Sequence, residues 1–113
     1  MDATGIVYTA TNATPLSSPE FGMVRQVLAY NPQLMLVRHT FTRGWTGARH
    51  SHPHDQLVYI VRGRIRFEAE GKAWDLRPGD SLVVEGNIEH QASALEDSEV
   101  LDIFTPYRED YAS

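Results

Sequence analysis

Three of the chain's five histidines fall within five residues, in the run Arg49-His50-Ser51-His52-Pro53-His54-Asp55-Gln56. A fourth, His90, comes after a Pro78-Gly79-Asp80 turn further along. In a strand, residues i and i+2 point to the same face, so His50 and His52 can aim at one point. Pro53 cannot donate to a sheet ladder and marks a bend or bulge directly after the pair. A bulge changes the facing of the residues beyond it, which lets the amide oxygen of Gln56 turn toward the same point. The expectation is one divalent transition metal held by His50, His52, Gln56 and His90, with zinc, nickel, iron, cobalt or manganese as candidates. Four protein ligands leave one or two positions open on a five- or six-coordinate ion, as a catalytic site needs. A glutamine in place of a carboxylate leaves the site about one charge more positive, a better Lewis acid and a stronger binder of anionic oxygen. It also removes a carboxylate that would help neutralise an oxidised ion, which favours non-redox chemistry.

The elements that must position these groups read as strands. From Gln56, Val58 and Ile60 continue on one face, while Leu57, Tyr59 and Val61 take the other. Both faces are apolar, which suits a strand covered on both sides. His90, Ala92 and Ala94 share a face, and the alanines leave space beside the imidazole. The run Ser98 to Tyr107 puts Val100, Asp102 and Phe104 on one face and Leu101, Ile103 and Thr105 on the other. Asp102 is the exception on apolar surfaces. A buried carboxylate is costly unless paired or bound. Asp102 is therefore either tied to an arginine or a turn, or faces a cavity as an acid or ligand-binding group. His39, in the strand-like run Gln33 to Thr42, has no partner at i±2 and reads as a structural or surface histidine. His54 lies across Pro53 from His52 and reads as exposed or as a neighbour of the ligands. Tyr59 and Arg62 are candidates for a cavity rim.

Met23 to Leu28 is another strand, ended by the Asn31-Pro32 turn. Ile65, Phe67 and Ala69 alternate with Arg64, Arg66 and Glu68 in a half-exposed antiparallel strand. Arg62-Gly63-Arg64 and Glu70-Gly71-Lys72 read as hairpin turns. Trp74 and Leu76 share a face, and Ser81 to Glu85 is turned by Gly86-Asn87. Residues 1–20 read as an arm with a short strand at 5–9, covering a barrel edge of its own or of a partner. Residues 21–113 then form a single domain. Short strands at regular spacing, with no helical periodicity, indicate an all-β barrel or double-sheet jelly roll. The polar tail from Pro106 is expected to fold across the barrel surface or its mouth.

A chain of 113 residues with 42% hydrophobic content is one globular domain. Its net charge of −5 and lack of a basic stripe argue against nucleic acid as a partner. There are no cysteines, so disulfides are excluded. The first eighteen residues have neither a cationic start nor an apolar run, and no segment approaches the roughly 18 apolar residues of a membrane span. These features point to a cytoplasmic protein that does not engage membranes.

The spacing G-x5-H-x-H-x3-Q-x6-G from Gly44 to Gly63, with Gly79 and His90 later, resembles the two-part signature of the cupin superfamily. This chain has Gln56 where glutamate is usual, Glu85 at a proline position, Asn87 at a glycine position and Ala94 at an asparagine position. The runs Arg25 to Tyr30, Leu34 to Val37, His50 to Gln56 and Val100 to Tyr111 are similar to the KdgF-type pectin degradation proteins, over about residues 21–111. The resemblance implies a cupin-type double-stranded β-helix, often dimeric, so a homodimer is expected. It implies a divalent metal at His50, His52, Gln56 and His90. It also implies action on 4,5-unsaturated monouronates from pectin or alginate breakdown, giving the linear 4-deoxy-5-keto-uronate. The family's functional Asp, Phe and Arg correspond to Asp102, Phe104 and Arg108. Asp102 and Arg108 are then the catalytic pair, with Phe104, Arg108 and Tyr59 against a small anionic sugar acid. Two alternatives stand beside this: a metallo-cupin of other activity, such as a dioxygenase or cyclase, and a non-catalytic metal- or metabolite-binding cupin.

Overall fold

The alternation of apolar and polar residues is realised as eight strands in this computed structural model, which describes residues 5–112. In chain order they are β1 (Met23–Asn31), β2 (Leu34–Phe41), β3 (Asp55–Arg62), β4 (Ile65–Ala69), β5 (Lys72–Leu76), β6 (Ser81–Val84), β7 (His90–Ala94) and β8 (Ser98–Thr105). A short helical turn, α1 (Glu109–Ala112), follows β8 at the end of the described residues. One sheet has the order β1-β2-β8-β3-β6 and the other β5-β4-β7, and every strand pairing is antiparallel. The fold is the all-β jelly-roll barrel expected of the sequence.

The inner faces of the two sheets meet in one core. Val58, Ile60, Val84 and Val100 come from the larger sheet, and Ile65, Phe67, Ala69, Leu76 and Ala94 from the smaller. Burying a large apolar side chain such as Ile60 or Phe67 stabilises the fold by roughly 1.5–3 kcal/mol. At the other end Met35, Val37 and Phe104 form a second cluster, against which Tyr107, Tyr111 and Ala112 of the tail pack. The inner face of the large sheet is written in its register. Arg25 stands opposite His39, Val37 opposite Asp102 and then Val58, and Met35 opposite Phe104 and then Gln56.

Glu70 and Gly71, with φ of 53° and 74°, make the two-residue turn between β4 and β5. Two consecutive positive φ values define the type I′ hairpin, whose twist matches the strands. The Arg62-Gly63-Arg64 turn differs from expectation. β3 pairs with β6 and β8, whereas β4 pairs with β5 and β7, so this turn crosses between sheets and is no hairpin. Gly63 is needed there, because a Cβ would collide with Ser98 Oγ and the carbonyl oxygen of Asp97.

Three further features depart from expectation. Residues 5–9 form no strand. The arm instead has a 3-10 turn at Thr11–Ala13 and a bridge from Ser17 to Arg25. It lies on the outer face of β1, where Gln26 donates to the carbonyls of Thr11 and Thr14. Residues 1–4 of the arm lie outside the described residues. The outer face of β3 is not covered by the described residues: Leu57, Tyr59 and Val61 are exposed, as is Val83 on β6 at 63%. Apolar composition on both faces of a strand therefore does not mean burial on both faces within one chain. Finally, His52 lies outside any strand and His50 makes only an isolated bridge. Among the described residues, no helix is long and apolar enough to cross a membrane.

Candidate metal centre

His50 is placed by a two-way backbone bridge to His90, with N···O distances of 3.0 and 2.9 Å. His52 is placed by the β6–β7 turn, where Asn87 donates its N–H to the carbonyl of His52 at 2.7 Å. Asn87 holds φ at 68°, the left-handed region that asparagine tolerates. Gly86 packs so close to the Pro53 carbonyl that a Cβ there would collide with its oxygen. The bend after His52 is thus clamped by the turn that follows the neighbouring strand β6.

Each imidazole is oriented by a backbone carbonyl close in sequence. Nδ1 of His50 bonds the carbonyl of Ala48 at 2.8 Å, and Nδ1 of His90 bonds that of Ile88 at 2.8 Å. Nδ1 of His52 bonds that of His54 at 3.1 Å. A carbonyl can only accept, so each Nδ1 carries the proton and each Nε2 presents a lone pair. The donor atoms of the three residues lie within 4.8 Å of one another.

These lone pairs fit a metal and fit little else. Among the described residues, Nε2 of His90 is buried with no hydrogen-bond partner. Nε2 of His52 faces the amide oxygen of Gln56 at 3.0 Å, so two acceptors face each other. A buried acceptor with nothing to accept is costly, and a cation shared by these atoms removes that cost. Burial lowers the pKa of His52 and His90 below the usual imidazole value, which keeps both in the neutral, ligating form.

Gln56 is held from behind. Its amide nitrogen donates to Asp102 Oδ1 at 2.8 Å, and Nδ1 of His39 lies 2.7 Å from Asp102 Oδ2. Nε of Arg25 donates to Nε2 of His39 at 3.0 Å. Asp102 is 4% exposed and His39 5%. All four residues line a cavity of about 400 Å³ that opens beside the imidazoles. Ala92, Phe67 and Trp45 supply apolar wall, and Arg108, Asp110 and Tyr111 of the tail also line it. Arg108 forks onto Asp110, with Nε–Oδ1 of 3.2 Å and Nη2–Oδ2 of 2.9 Å. Burial would raise the Asp110 carboxyl, but the bond to Arg108 wins and holds it below the ordinary carboxylate range. The guanidinium groups of Arg25 and Arg108 both sit over the Tyr111 ring, 3.8 and 4.1 Å from its centroid.

Comparison with known proteins decides the family. Residues 37–104 match the cupin domain family. This chain belongs to the cupin superfamily. It is 32% identical over 106 residues to the pectin degradation protein KdgF of Dickeya dadantii, covering 92% of this chain and 96% of that protein. The solved structure of KdgF from Halomonas sp. superposes with a TM-score of 0.87 at 38% identity, covering 93% of this chain and 97% of that one. An RmlC-like cupin from Shewanella frigidimarina gives a TM-score of 0.87 at 32% identity, over 92% and 94%.

In this cupin the sequence-derived candidates separate into those brought together and those set apart. His50, His52, Gln56 and His90 converge, although bends and a bridge achieve this where regular strand was expected. Asp102 faces the cavity and contacts Gln56. Phe104 is buried behind the site, its ring edge-on to His52 at 5.8 Å, and it packs in the second core cluster. Tyr59 is set apart: it lies on the outer face of β3, opposite in facing to Val58 and Ile60, and is 44% exposed. Arg62 is likewise removed from the rim and pairs with Glu99 at 3.4 Å. His54 stays outside the imidazole group, with Nδ1 buried and without a hydrogen-bond partner among the described residues. Sequence reasoning overlooked Arg25 and Tyr111. Arg25 carries a signal in retrospect: it shares its parity in β1 with Met23 and Val27, the strand's inward-facing set.

Proposed function

We propose that this cupin is a metal-dependent enzyme that opens the ring of 4,5-unsaturated monouronates released from pectin or alginate and yields the linear keto acid. One observation carries the reading: His50, His90 and Gln56 of a convergent His3Gln donor set line the same cavity as the Asp102 carboxylate, in a chain similar along nearly its whole length to a pectin degradation protein. His50, His52, His90 and Gln56 would hold the ion.

In such a substrate C4 and C5 share a double bond next to the carboxylate, and C5 is bonded to the ring oxygen. Conversion removes a proton from the C1 hydroxyl, breaks the bond from C1 to the ring oxygen and adds a proton at C4. No atom is gained or lost. When bound, the metal supplies Lewis-acid stabilisation of the negative charge that develops on substrate oxygen. Asp102 carries the proton, as acceptor at the C1 hydroxyl and donor at C4. Its bonds from His39 and Gln56 fix the direction of its lone pairs. Arg108 binds the uronate carboxylate in exchange for Asp110, since a guanidinium fork suits either carboxylate. Ala92 and Phe67 keep the floor of the cavity apolar.

The test follows absorbance of the conjugated double bond in lyase-generated unsaturated monouronate. It disappears faster with the protein than without, stops after chelation and resumes on adding a divalent metal. A rate equal to the spontaneous one, with metal bound, sinks the proposal.

The same proposal includes a cytoplasmic homodimer. Leu57, Tyr59, Val61 and Val83 form an exposed apolar outer face, beside the half-buried Leu101 and Ile103. A patch of this kind marks an interaction surface, and a second copy presents a matching one. Sedimentation velocity tests it: a monomer at micromolar concentration removes the dimer from the reading.

A further inference from the structure

Behind the imidazole cluster, four polar side chains form a continuous line across four adjacent strands. Arg25 lies on β1, His39 opposite it on β2, Asp102 one diagonal step on along β8, and Gln56 one diagonal step on along β3. The links measure 3.0, 2.7 and 2.8 Å, and the line ends with the Gln56 oxygen 3.0 Å from Nε2 of His52.

The direction of every link is set by its first member. A guanidinium has five N–H donors and no acceptor. Nε of Arg25 therefore donates, and Nε2 of His39 must offer a lone pair. The proton of the neutral ring then sits on Nδ1 and is donated to Asp102 Oδ2. Oδ1 of Asp102 is left as the acceptor facing Gln56, so the amide nitrogen must turn toward it. The amide oxygen is thereby directed at the imidazoles. A carboxylate at position 56 would place an oxygen against Asp102 Oδ1, acceptor against acceptor and charge against like charge.

We propose that Arg25 and His39 are positioning residues which, through Asp102, fix the Gln56 amide with its oxygen toward the imidazole cluster, and so make this site one for a neutral amide ligand. The proposal rests on reading that cluster as a metal centre. Neither residue touches the ion or the substrate in this role.

Two measurements separate it from a merely structural role. The first is nitrogen NMR of the imidazole of His39 in metal-free protein. Wild type shows the Nδ1-protonated tautomer, and Arg25→Met loses it or mixes it with the other. The second is titration of metal-free protein with Co2+, read by affinity and by the visible ligand-field bands. His39→Leu weakens Co2+ by about 10-fold and alters the bands, the low end of the cost of losing a ligand's hydrogen-bond partner, because His39 acts one link further out through Asp102. His39→Asn, whose amide can still donate toward Asp102, lies closer to wild type. Should His39→Leu fail to fold, Arg25→Met, at a half-buried position, carries the same Co2+ comparison with a smaller loss. An Nε2-protonated His39 in wild type overturns the proposal, as does unchanged Co2+ affinity with unchanged bands in folded His39→Leu or Arg25→Met. Wild-type protein that takes up no Co2+ overturns instead the metal-centre reading beneath it, while the NMR result still reports the direction of the line.

Discussion

The two halves of the site are built by different means. Each imidazole is oriented by a carbonyl two residues away, Ala48 for His50, His54 for His52 and Ile88 for His90. That half is local in chemistry, and only its convergence is long-range. The Arg25–His39–Asp102–Gln56 line has no local link: its members are 14, 63 and 46 residues apart along the chain. Strand register alone brings them together. A local orientation survives small shifts of the sheet, whereas a one-residue slip of β8 would turn Asp102 to the opposite face and cut the line. The imidazoles therefore serve as the robust element and the polar line as the tunable one.

Breaking the local half has the largest expected effect. His90→Ala removes a buried donor and should abolish both stoichiometric metal, measured by elemental analysis, and turnover of the unsaturated uronate. Breaking the register-built half at Asp102 should do less to binding and more to chemistry. Asp102→Asn is expected to lower turnover by about 10²–10⁴-fold, the typical contribution of a positioned acid–base group, with metal retained at saturating concentration. An active Asp102→Asn enzyme removes this residue from the proton transfer.

Phe104 underlies both halves, opposite Gln56 on β8 and edge-on to His52. Phe104→Ala should cost about 3–5 kcal/mol of stability in urea denaturation, the usual range for emptying a buried aromatic site. A loss below about 1 kcal/mol would mean that the second core cluster closes over the gap.

A pH series on metal-free protein sharpens the contrast further. Burial lowers the pKa of His52 and His90 in the folded state from the ordinary imidazole value of 6.5. The unfolded chain therefore binds more protons as pH falls through this value, and the folded state loses stability there. Stability should be fully present above this range and decline below it, and saturating metal should shift the decline to lower pH. Stability that rises on acidification through this window contradicts the assignment. The smallest effect is expected on the outer face of β3. Tyr59→Ser should leave turnover and metal content unchanged, while sedimentation velocity shifts toward monomer relative to the homodimer proposed for the wild type.

Much of this was legible in the sequence. The H-x-H spacing, the proline after it, the isolated Asp102 on an apolar strand and the turn glycines are short-range signals, because side-chain facing alternates and turn chemistry is local. The strands and the cupin signature emerged from them. Tyr59 illustrates what was not legible. Its parity set it apart from Gln56 on the strand, but whether that face met cavity, core or solvent depended on strand order. The sheet crossover at Gly63 is a second case: the turn looked like a hairpin, and only pairing partners distant in sequence send β3 and β4 to different sheets.

The sequence by itself determined which side chains could bind a metal and which strand faces they occupied, since both depend on residue type and on a period of two. Tertiary structure alone decided that His50 and His52 converge through a clamped bend, that Tyr59 faces outward, and that Arg25 and His39 stand behind Asp102. The physical reason is that the register between strands is set by how the whole core packs, and no local stretch of the chain contains that information.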